Sequence, residues 1–153
     1  MPPKPSDERW PDLAGRLEGG RHRLPIRVYY EDTDFSGFVY HANYLKFCER
    51  ARSDWLRLIG LHHHELMERE EGAGGGLGFV VRRLTADFLK PAVMDDVLEV
   101  VTDAVALTRA RLTLSQTILR GEERLFVLTV TVAVVDRRGR PRRLPQQLLD
   151  SLS

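Results

Sequence analysis

The chain has 153 residues, 42% of them apolar, and a single cysteine, Cys48. That length predicts one domain with a substantial core, and a lone cysteine excludes an internal disulfide or a paired-cysteine zinc site. A net charge of +1 argues against a nucleic-acid binder driven by bulk charge. No apolar run reaches the roughly 18 residues of a membrane span, and the polar start lacks the apolar core of a signal peptide. We therefore expect a cytoplasmic protein without a transmembrane segment.

The first part of the chain divides into an arm and the start of a domain. Four of the eight prolines lie in the first 11 residues, which predicts a flexible N-terminal arm over residues 1–22. Residues 24–31 are rich in β-branched and aromatic types and predict a first strand. A turn-like stretch follows at 32–37. We expect the domain to span residues 23–145 and a short C-terminal tail to span 146–153.

A long helix follows the turn. Apolar residues recur there at steps of three and four, namely Tyr44, Phe47, Cys48, Ala51, Trp55, Leu58 and Ile59. Gly60 suits the position just beyond a helix end. The spacing predicts a helix over 41–59 with one side buried against a sheet. A loop is expected over 61–78, with a short helix at 64–70.

Beyond residue 78 the apolar periodicity changes to two. It predicts strands at 79–89, 97–107, 111–119 and 124–135. Their three connections are short, so neighbouring strands are expected to be antiparallel. One helix on one face of a five-stranded antiparallel sheet is an α+β architecture.

The loop between the first strand and the helix is the best candidate active site. Seven of the twelve aromatic residues lie between Tyr29 and Phe47, together with Asp32, Asp34 and His41. A helix N-terminus presents unpaired N–H groups and a partial positive charge, which can polarise a carbonyl. A nearby carboxylate can act on that carbonyl as base or nucleophile, and a histidine can move the proton.

A motif within residues 28–53 carries a family resemblance. The string Tyr-x-x-x-Asp-x-x-Gly-x-x-Tyr-His-x-x-Tyr resembles the motif of hot-dog-fold acyl-CoA thioesterases. More narrowly, it resembles the YbgC (Tol–Pal-associated) branch of the 4-hydroxybenzoyl-CoA thioesterase family, with similarity over roughly residues 24–145. The resemblance implies a hot-dog fold, in which an antiparallel sheet wraps a long central helix. It also implies a homodimer or homotetramer with active sites at the subunit interface.

The resemblance implies hydrolysis of an acyl-CoA to a free acid and CoA, without a metal or other cofactor. Asp34 matches the catalytic carboxylate, and the sequence leaves open whether it attacks the carbonyl or activates a water. His41 matches the residue whose N–H polarises the thioester, with its imidazole as a proton-transfer partner. Tyr30 matches a tyrosine that joins this set. Asp32 and Gly37 match motif positions that shape the loop, and Gly37 and Tyr40 are expected to contact the substrate.

The phosphates of CoA call for cationic side chains. Arg109 and Arg111 open the predicted fourth strand, where members of the family place a basic pair for the nucleotide. Arg82, Arg83 and Lys90 are alternatives. Each of these side chains is also compatible with an ordinary solvated charge.

Several features have plainer interpretations. An Asp before a helix is often a cap or turn residue, which applies to Asp32 and Asp34. Glu49 fits a solvated helix position. The run from His62 to Glu65 lacks the spacing of a metal motif. The five arginines between 137 and 143 suit a solvated tail, or contact with an acidic partner or an anionic lipid surface.

Two other functions are compatible with the sequence. One is a non-catalytic or weakly catalytic hot-dog protein that binds acyl-CoA or an acyl carrier protein. The pairing of Asp34 with His41 argues for catalysis, because a binding protein does not need it. The other is a nucleic-acid binder that uses the basic tail, which the near-zero net charge disfavours.

Overall fold

A computed structural model describes residues 13–61 and 76–152 and shows a long helix against an antiparallel sheet. In chain order the elements are β1 (Arg16–Glu18), β2 (Arg21–Arg27), α1 (His41–Leu58), β3 (Leu77–Phe88), β4 (Val97–Leu107), β5 (Arg111–Arg120), β6 (Glu123–Asp136), β7 (Pro141–Arg142) and α2 (Gln146–Leu152). The strand order is β1-β2-β4-β5-β6-β3, and β7 also pairs with β6. The predicted α+β architecture is confirmed, although the described residues form seven strands instead of five.

The core lies between α1 and one face of the sheet. The helix has 18 residues and is about 27 Å long. Its buried side includes Tyr44, Phe47, Cys48, Ala51 and Trp55, and it packs on buried residues of β4, β5 and β6, including Leu98, Val100, Leu114, Ile118, Phe126, Leu128 and Val130. The broad apolar stripe seen in the sequence is therefore the buried side of the helix. No helix among the described residues is long and apolar enough to cross a bilayer.

The end of α1 follows the expected pattern. Gly60 adopts a φ of 88°, and its N–H donates to the Arg57 carbonyl at 3.0 Å. The Leu61 N–H donates to the Leu56 carbonyl at 2.8 Å. This pair of bonds is a Schellman motif, which favours glycine because of the left-handed backbone. The predicted role of Gly60 is confirmed.

The prediction that every short connection joins neighbouring strands is wrong for the first of them. β3 pairs with β6 and not with β4, whereas the expected pairing of β4 with β5 and of β5 with β6 is confirmed. The residues between β3 and β4, which we call the crossing segment (residues 89–96), do not form a hairpin. They bind instead to the chain just beyond the end of β2. There the Asp95 N–H donates to the Val28 carbonyl, and the Val28 N–H donates to the Asp96 carbonyl, each at 2.9 Å. These bonds place β4 beside β2.

Two short strands were missed. β1 pairs with β2, which begins at Arg21 and ends at Arg27, so residues 16–22 of the predicted flexible arm belong to the sheet. β7 pairs with the end of β6. The helix α2 lies in the predicted tail. Residues 1–12 and the predicted helix at 64–70 lie outside the described residues, and the predicted domain boundaries remain predictions.

A buried charged cluster ties the first strands to α1. His22 is fully buried on β2, and its Nε2 lies 2.6 Å from Oδ2 of Asp54. The Gly15 N–H donates to the same oxygen at 2.9 Å, and the Arg57 guanidinium donates to Oδ1 at 2.5 Å. The approach to β1 is therefore anchored on the second half of the helix.

Gly15→Ala is expected to destabilise the protein by about 1–3 kcal/mol, as overpacking usually does. A Cβ at this position would lie 2.4 Å from the Arg23 carbonyl oxygen and 2.7 Å from Asp54 Oδ2. Neither oxygen can retreat freely, since one belongs to a paired strand and the other to the buried cluster. The urea midpoint measures the loss. Arg16→Ala, at the next position and exposed, is the control, and equal midpoints for the two variants would contradict the prediction.

Candidate functional site

The site loop (residues 32–40) is fastened at both ends by Asp32. Only 4% of this residue is exposed. Its Oδ2 accepts the Tyr29 N–H at 2.9 Å, and its carbonyl accepts the Tyr40 N–H at 2.9 Å. The Asn43 amide donates to both its carbonyl and its Oδ1 at 3.3 Å. Asp32 therefore shapes the loop and joins it to the first turn of α1.

Asp34 lies at the turn of the site loop with an exposed side chain. Its N–H donates to the Phe38 carbonyl, and the Gly37 N–H donates to its carbonyl, each at 3.0 Å. Gly37 has a φ of 85°, a conformation that favours glycine. The Ser36 N–H and hydroxyl donate to Asp34 Oδ1 at 2.8 and 2.5 Å. The hydrogen bonds that hold this side chain therefore end on one of its two oxygens, Oδ1.

The carboxylate of Asp34 is held in its ionised form. The hydrogen bonds from the Ser36 hydroxyl and N–H are the main causes that lower the pKa of Asp34 below its ordinary value. A positive charge on His41 lowers this pKa further. The group is therefore charged at neutral pH, as a base or a nucleophile must be.

His41 is the first residue of α1, with Tyr40 as the N-cap. Its exposed ring lies 4.4 Å from the ring of Tyr40 and 6.2 Å from that of Phe88, centroid to centroid. The first N–H groups of a helix have no acceptor within the helix and carry partial positive charge. This end of α1 can therefore hold a carbonyl oxygen or an oxyanion.

A groove of about 320 Å³ runs between the start of α1 and the end of β3. Its lining is mostly apolar and consists of Val39, His41, Tyr44, Phe88, Leu89, Lys90 and Pro91. Beneath it, the ring of Phe126 stacks on Tyr44 at 5.2 Å and lies 5.0 Å from Phe88. The groove therefore offers an aromatic floor with the helix N-terminus beside it.

Among the predicted site residues near the loop, the structure brings several together and moves Tyr30 off the strand. Gly37 and Tyr40 lie on the site loop with Asp34, and Lys90 lines the groove with its Nζ 3.0 Å from Glu123 Oε2. Tyr30 was expected on the first strand, but it lies in a 3-10 turn over Tyr30–Asp32 and is 81% exposed. The turn forms because the Asp32 side chain binds the backbone there.

Arg109 and Arg111 lie at the other end of the sheet within one chain. Arg111 pairs with Ala133, whereas the groove adjoins Phe126, so about seven residues of β6, or about 24 Å, separate them. Arg82 is the extra residue of a bulge in β3. One chain therefore does not gather these arginines around Asp34, and their contact with the nucleotide remains a prediction.

Ser36 was missed as a partner of the site carboxylate. An Asp side chain commonly binds the backbone two residues later, so the order Asp34-Phe-Ser36 was the available signal. The role of the Tyr44 hydroxyl was also missed, since Tyr44 lies in the apolar stripe and at the end of the motif, and neither pattern shows what the hydroxyl contacts. Residues His62–Glu65 are outside the described residues.

Residues 36–127 match the model of the thioesterase superfamily. The site, a loop carboxylate beside the N-terminus of a helix packed on an antiparallel sheet, fits that match. The chain therefore belongs to the thioesterase superfamily, and two curated relatives place it among the YbgC-type hot-dog proteins.

Two curated relatives are compared by sequence, and one solved structure extends the comparison to the fold. The acyl-CoA thioester hydrolase YbgC of Escherichia coli is 38% identical over 129 residues, which are 83% of this chain and 92% of the relative. The acyl-CoA thioesterase YbgC of Haemophilus influenzae is 42% identical over 113 residues, covering 74% and 79%. The crystal structure of a probable thioesterase from Bartonella henselae superposes with a TM-score of 0.77 at 44% identity, covering 82% of this chain and 99% of that one. The predicted fold family and branch are confirmed.

Proposed function

We propose that this protein hydrolyses acyl-CoA thioesters to a free acid and CoA at the groove beside the site loop. The observation that carries the proposal is the ionised Asp34 carboxylate placed beside the N-terminus of α1. The curated relatives in Escherichia coli and Haemophilus influenzae are named for this activity, which supports it.

The chemistry follows from the positions of these groups. The thioester oxygen accepts the His41 N–H, which makes the carbonyl carbon more electrophilic. Asp34 either attacks that carbon to form an acyl anhydride, which water then cleaves, or takes a proton from the water that attacks. Either route breaks the carbon–sulfur bond and consumes one water. The His41 imidazole supplies the proton to the departing thiolate, and we expect no cofactor.

The edge of the sheet that β3 forms among the described residues supports a homodimer as part of this proposal. β3 is an edge strand of 12 residues with Val81, Leu84 and Phe88 exposed, and such edges are usually covered. Antiparallel pairing of two copies along β3 brings the start of one strand beside the end of the other. A cavity of about 190 Å³, lined by residues that include Trp55, Leu56 and Phe79, would then adjoin the partner's groove and receive the acyl group. Association into a tetramer and a cytoplasmic location remain predictions.

Thiol release from a panel of acyl-CoAs tests the function. The panel runs from acetyl to palmitoyl and adds benzoyl and hydroxybenzoyl, and a colorimetric thiol reagent follows wild type and Asp34→Ala together. We expect the wild type to turn over at least one member and the variant to lose that turnover while staying folded. A wild type inactive on the whole panel would favour the alternative of a binding protein for acyl-CoA or an acyl carrier protein. Full activity in folded Asp34→Ala would remove the proposed centre.

A further inference from the structure

The site loop rests against the crossing segment through backbone bonds. The Val39 N–H donates to the Ala92 carbonyl at 2.9 Å, at the end of the loop that enters α1. Phe38 and Val93 form an antiparallel bridge next to it. The position of the loop therefore depends on the position of the crossing segment.

The same contacts reach the catalytic carboxylate. The Phe38 carbonyl, beside the bridge, accepts the Asp34 N–H at 3.0 Å. Thr33 bridges to Val39 across the loop, so the two sides of the loop move as one piece. A shift of the crossing segment would therefore carry the Asp34 carboxylate with it.

Tyr44 holds the crossing segment from the inside. Its hydroxyl oxygen accepts the Ala92 N–H at 3.0 Å, while the carbonyl of Ala92 holds the site loop. Tyr44 is only 4% exposed, and its ring is packed on Phe126. The hydroxyl is thus a fixed point, because the ring that carries it cannot swing without disturbing the core.

Arg120, at the end of β5, holds the segment from the outside. Its Nη1 donates to the Pro91 carbonyl at 3.2 Å and to Asp96 Oδ2 at 2.8 Å. The same Asp96 oxygen accepts the Val93 N–H at 2.9 Å. Both ends of the segment are therefore fastened to the sheet.

We propose that Tyr44 is a positioning residue for the hydrolysis, which fixes Asp34 relative to the N-terminus of α1 through Ala92. The helix that presents the His41 N–H also carries Tyr44 in its first turn. Through this hydroxyl, one rigid element sets both the group that polarises the carbonyl and the loop that carries the carboxylate. The inference rests on the proposed roles of Asp34 and His41.

Tyr44→Phe tests it, because this change keeps the ring of the groove and removes only the hydroxyl. The freed Ala92 lets the site loop shift, and small misplacements of reacting groups cost roughly 10- to 100-fold in rate. We expect kcat on the best acyl-CoA to fall by that factor, with KM within about twofold of wild type because the groove lining is retained.

Thr102→Val is the matched control. Its buried hydroxyl on β4 accepts a hydrogen bond from the Gln116 amide at 3.0 Å. The variant also loses a buried hydroxyl, but it leaves the crossing segment untouched, so kcat should stay at the wild-type value. Arg120→Gln loosens the segment from its solvent side without opening the core, and kcat should fall again with little change in KM.

The results separate the inference from the function on which it rests. Wild-type kcat in folded Tyr44→Phe, with Asp34→Ala inactive, overturns the positioning role and leaves the thioesterase proposal intact. Equal losses in Tyr44→Phe and Thr102→Val overturn it as well, since they reflect stability alone. If Tyr44→Phe does not fold, Arg120→Gln decides, and its wild-type kcat overturns the proposal. An inactive wild type, or an active Asp34→Ala, removes the function itself.

Discussion

Asp34→Asn is expected to lower kcat by about 10²–10⁴-fold, the usual contribution of a positioned base or nucleophile. The asparagine keeps an oxygen that accepts the two bonds from Ser36, so the site loop keeps its shape while the charge disappears. Because the side chain is exposed, the thermal midpoint should stay within about 2 °C of wild type. Steady-state thiol release and a thermal melt measure the two effects.

Asp95→Asn is the matched control for charge. This exposed Asp lies on the crossing segment with a φ of 73°, a backbone conformation that asparagine also tolerates. The variant removes one exposed carboxylate from the crossing segment but none from the proposed centre, so we expect nearly full activity. More than a tenth of wild-type kcat in Asp34→Asn, or an equal loss in both variants, would contradict the catalytic role of Asp34.

The activity at low pH tests the same role of the Asp34 carboxylate. The bonds from Ser36, with the charge of His41, lower the pKa of Asp34, so its carboxylate stays ionised to lower pH than an ordinary Asp. Activity that requires this carboxylate should therefore persist as pH falls to the usual Asp value of about 3.9, and decline only below it. The profile of kcat/KM in the pH range where the protein stays folded measures this.

Local patterns predicted the elements well, because each element records its own environment. The apolar spacing placed the helix at 41–59, and the structure has His41–Leu58. The strand predicted at 97–107 is β4 as observed. The partner of β3 could not be read this way, since it depends on bonds between the crossing segment and Val28, more than sixty residues apart along the chain.

The shortest strands left little pattern to find. β1 has three residues, all exposed, and a strand that short shows no alternation. The available signal was the pair Gly19-Gly20 just before β2, because a glycine pair is a known hairpin signal. In the structure the two glycines have positive φ values of 58° and 79°. β1 is held by its pairing with β2, and Gly15, just before it, donates its N–H to Asp54 of α1, 39 residues further along the chain.

In the candidate site, too, contacts between residues close in sequence could be predicted and contacts between distant residues could not. Asp34 and His41 lie seven residues apart across one turn, so the sequence could place both at the helix start. The contact of the Tyr44 hydroxyl with Ala92 spans 48 residues and depends on the crossing of β3 to β4. Sequence spacing likewise gave no sign that Arg111 lies at the opposite end of the sheet from the groove.

Asp54→Asn is expected to cost about 3 kcal/mol of folding stability, the range found when one partner of a buried ion pair is removed. Asp54 is 4% exposed and its oxygens are bound by His22, Gly15 and Arg57. The neutral amide leaves the fully buried His22 ring without its carboxylate. The change lies about twenty Å along α1 from His41, so activity at low temperature should be retained. Urea unfolding measures the loss.

The pH dependence of this loss distinguishes the effect of the charge from the effect of a lost hydrogen-bond acceptor. Burial alone would raise the pKa of Asp54, but hydrogen bonds from His22 and Gly15 and the charges of His22 and Arg57 outweigh it and lower the pKa. A lowered pKa stabilises the fold fully above the unfolded value of about 3.9, and the effect is lost as pH falls through that value to the folded one. The gap between wild type and Asp54→Asn should therefore be widest near neutral pH and narrow below about pH 4.

Asp103→Asn provides the comparison, because Asp103 forms an exposed ion pair with Arg21 at 2.9 Å. Such pairs contribute about 0–1 kcal/mol, and we expect a correspondingly small shift in the urea midpoint. A loss in Asp54→Asn no larger than that in Asp103→Asn would mean that the buried cluster does not anchor the first strands to the helix. A gap that stays constant down to pH 3 would mean that the lost acceptor oxygen, and not the charge of the carboxylate, accounts for the loss.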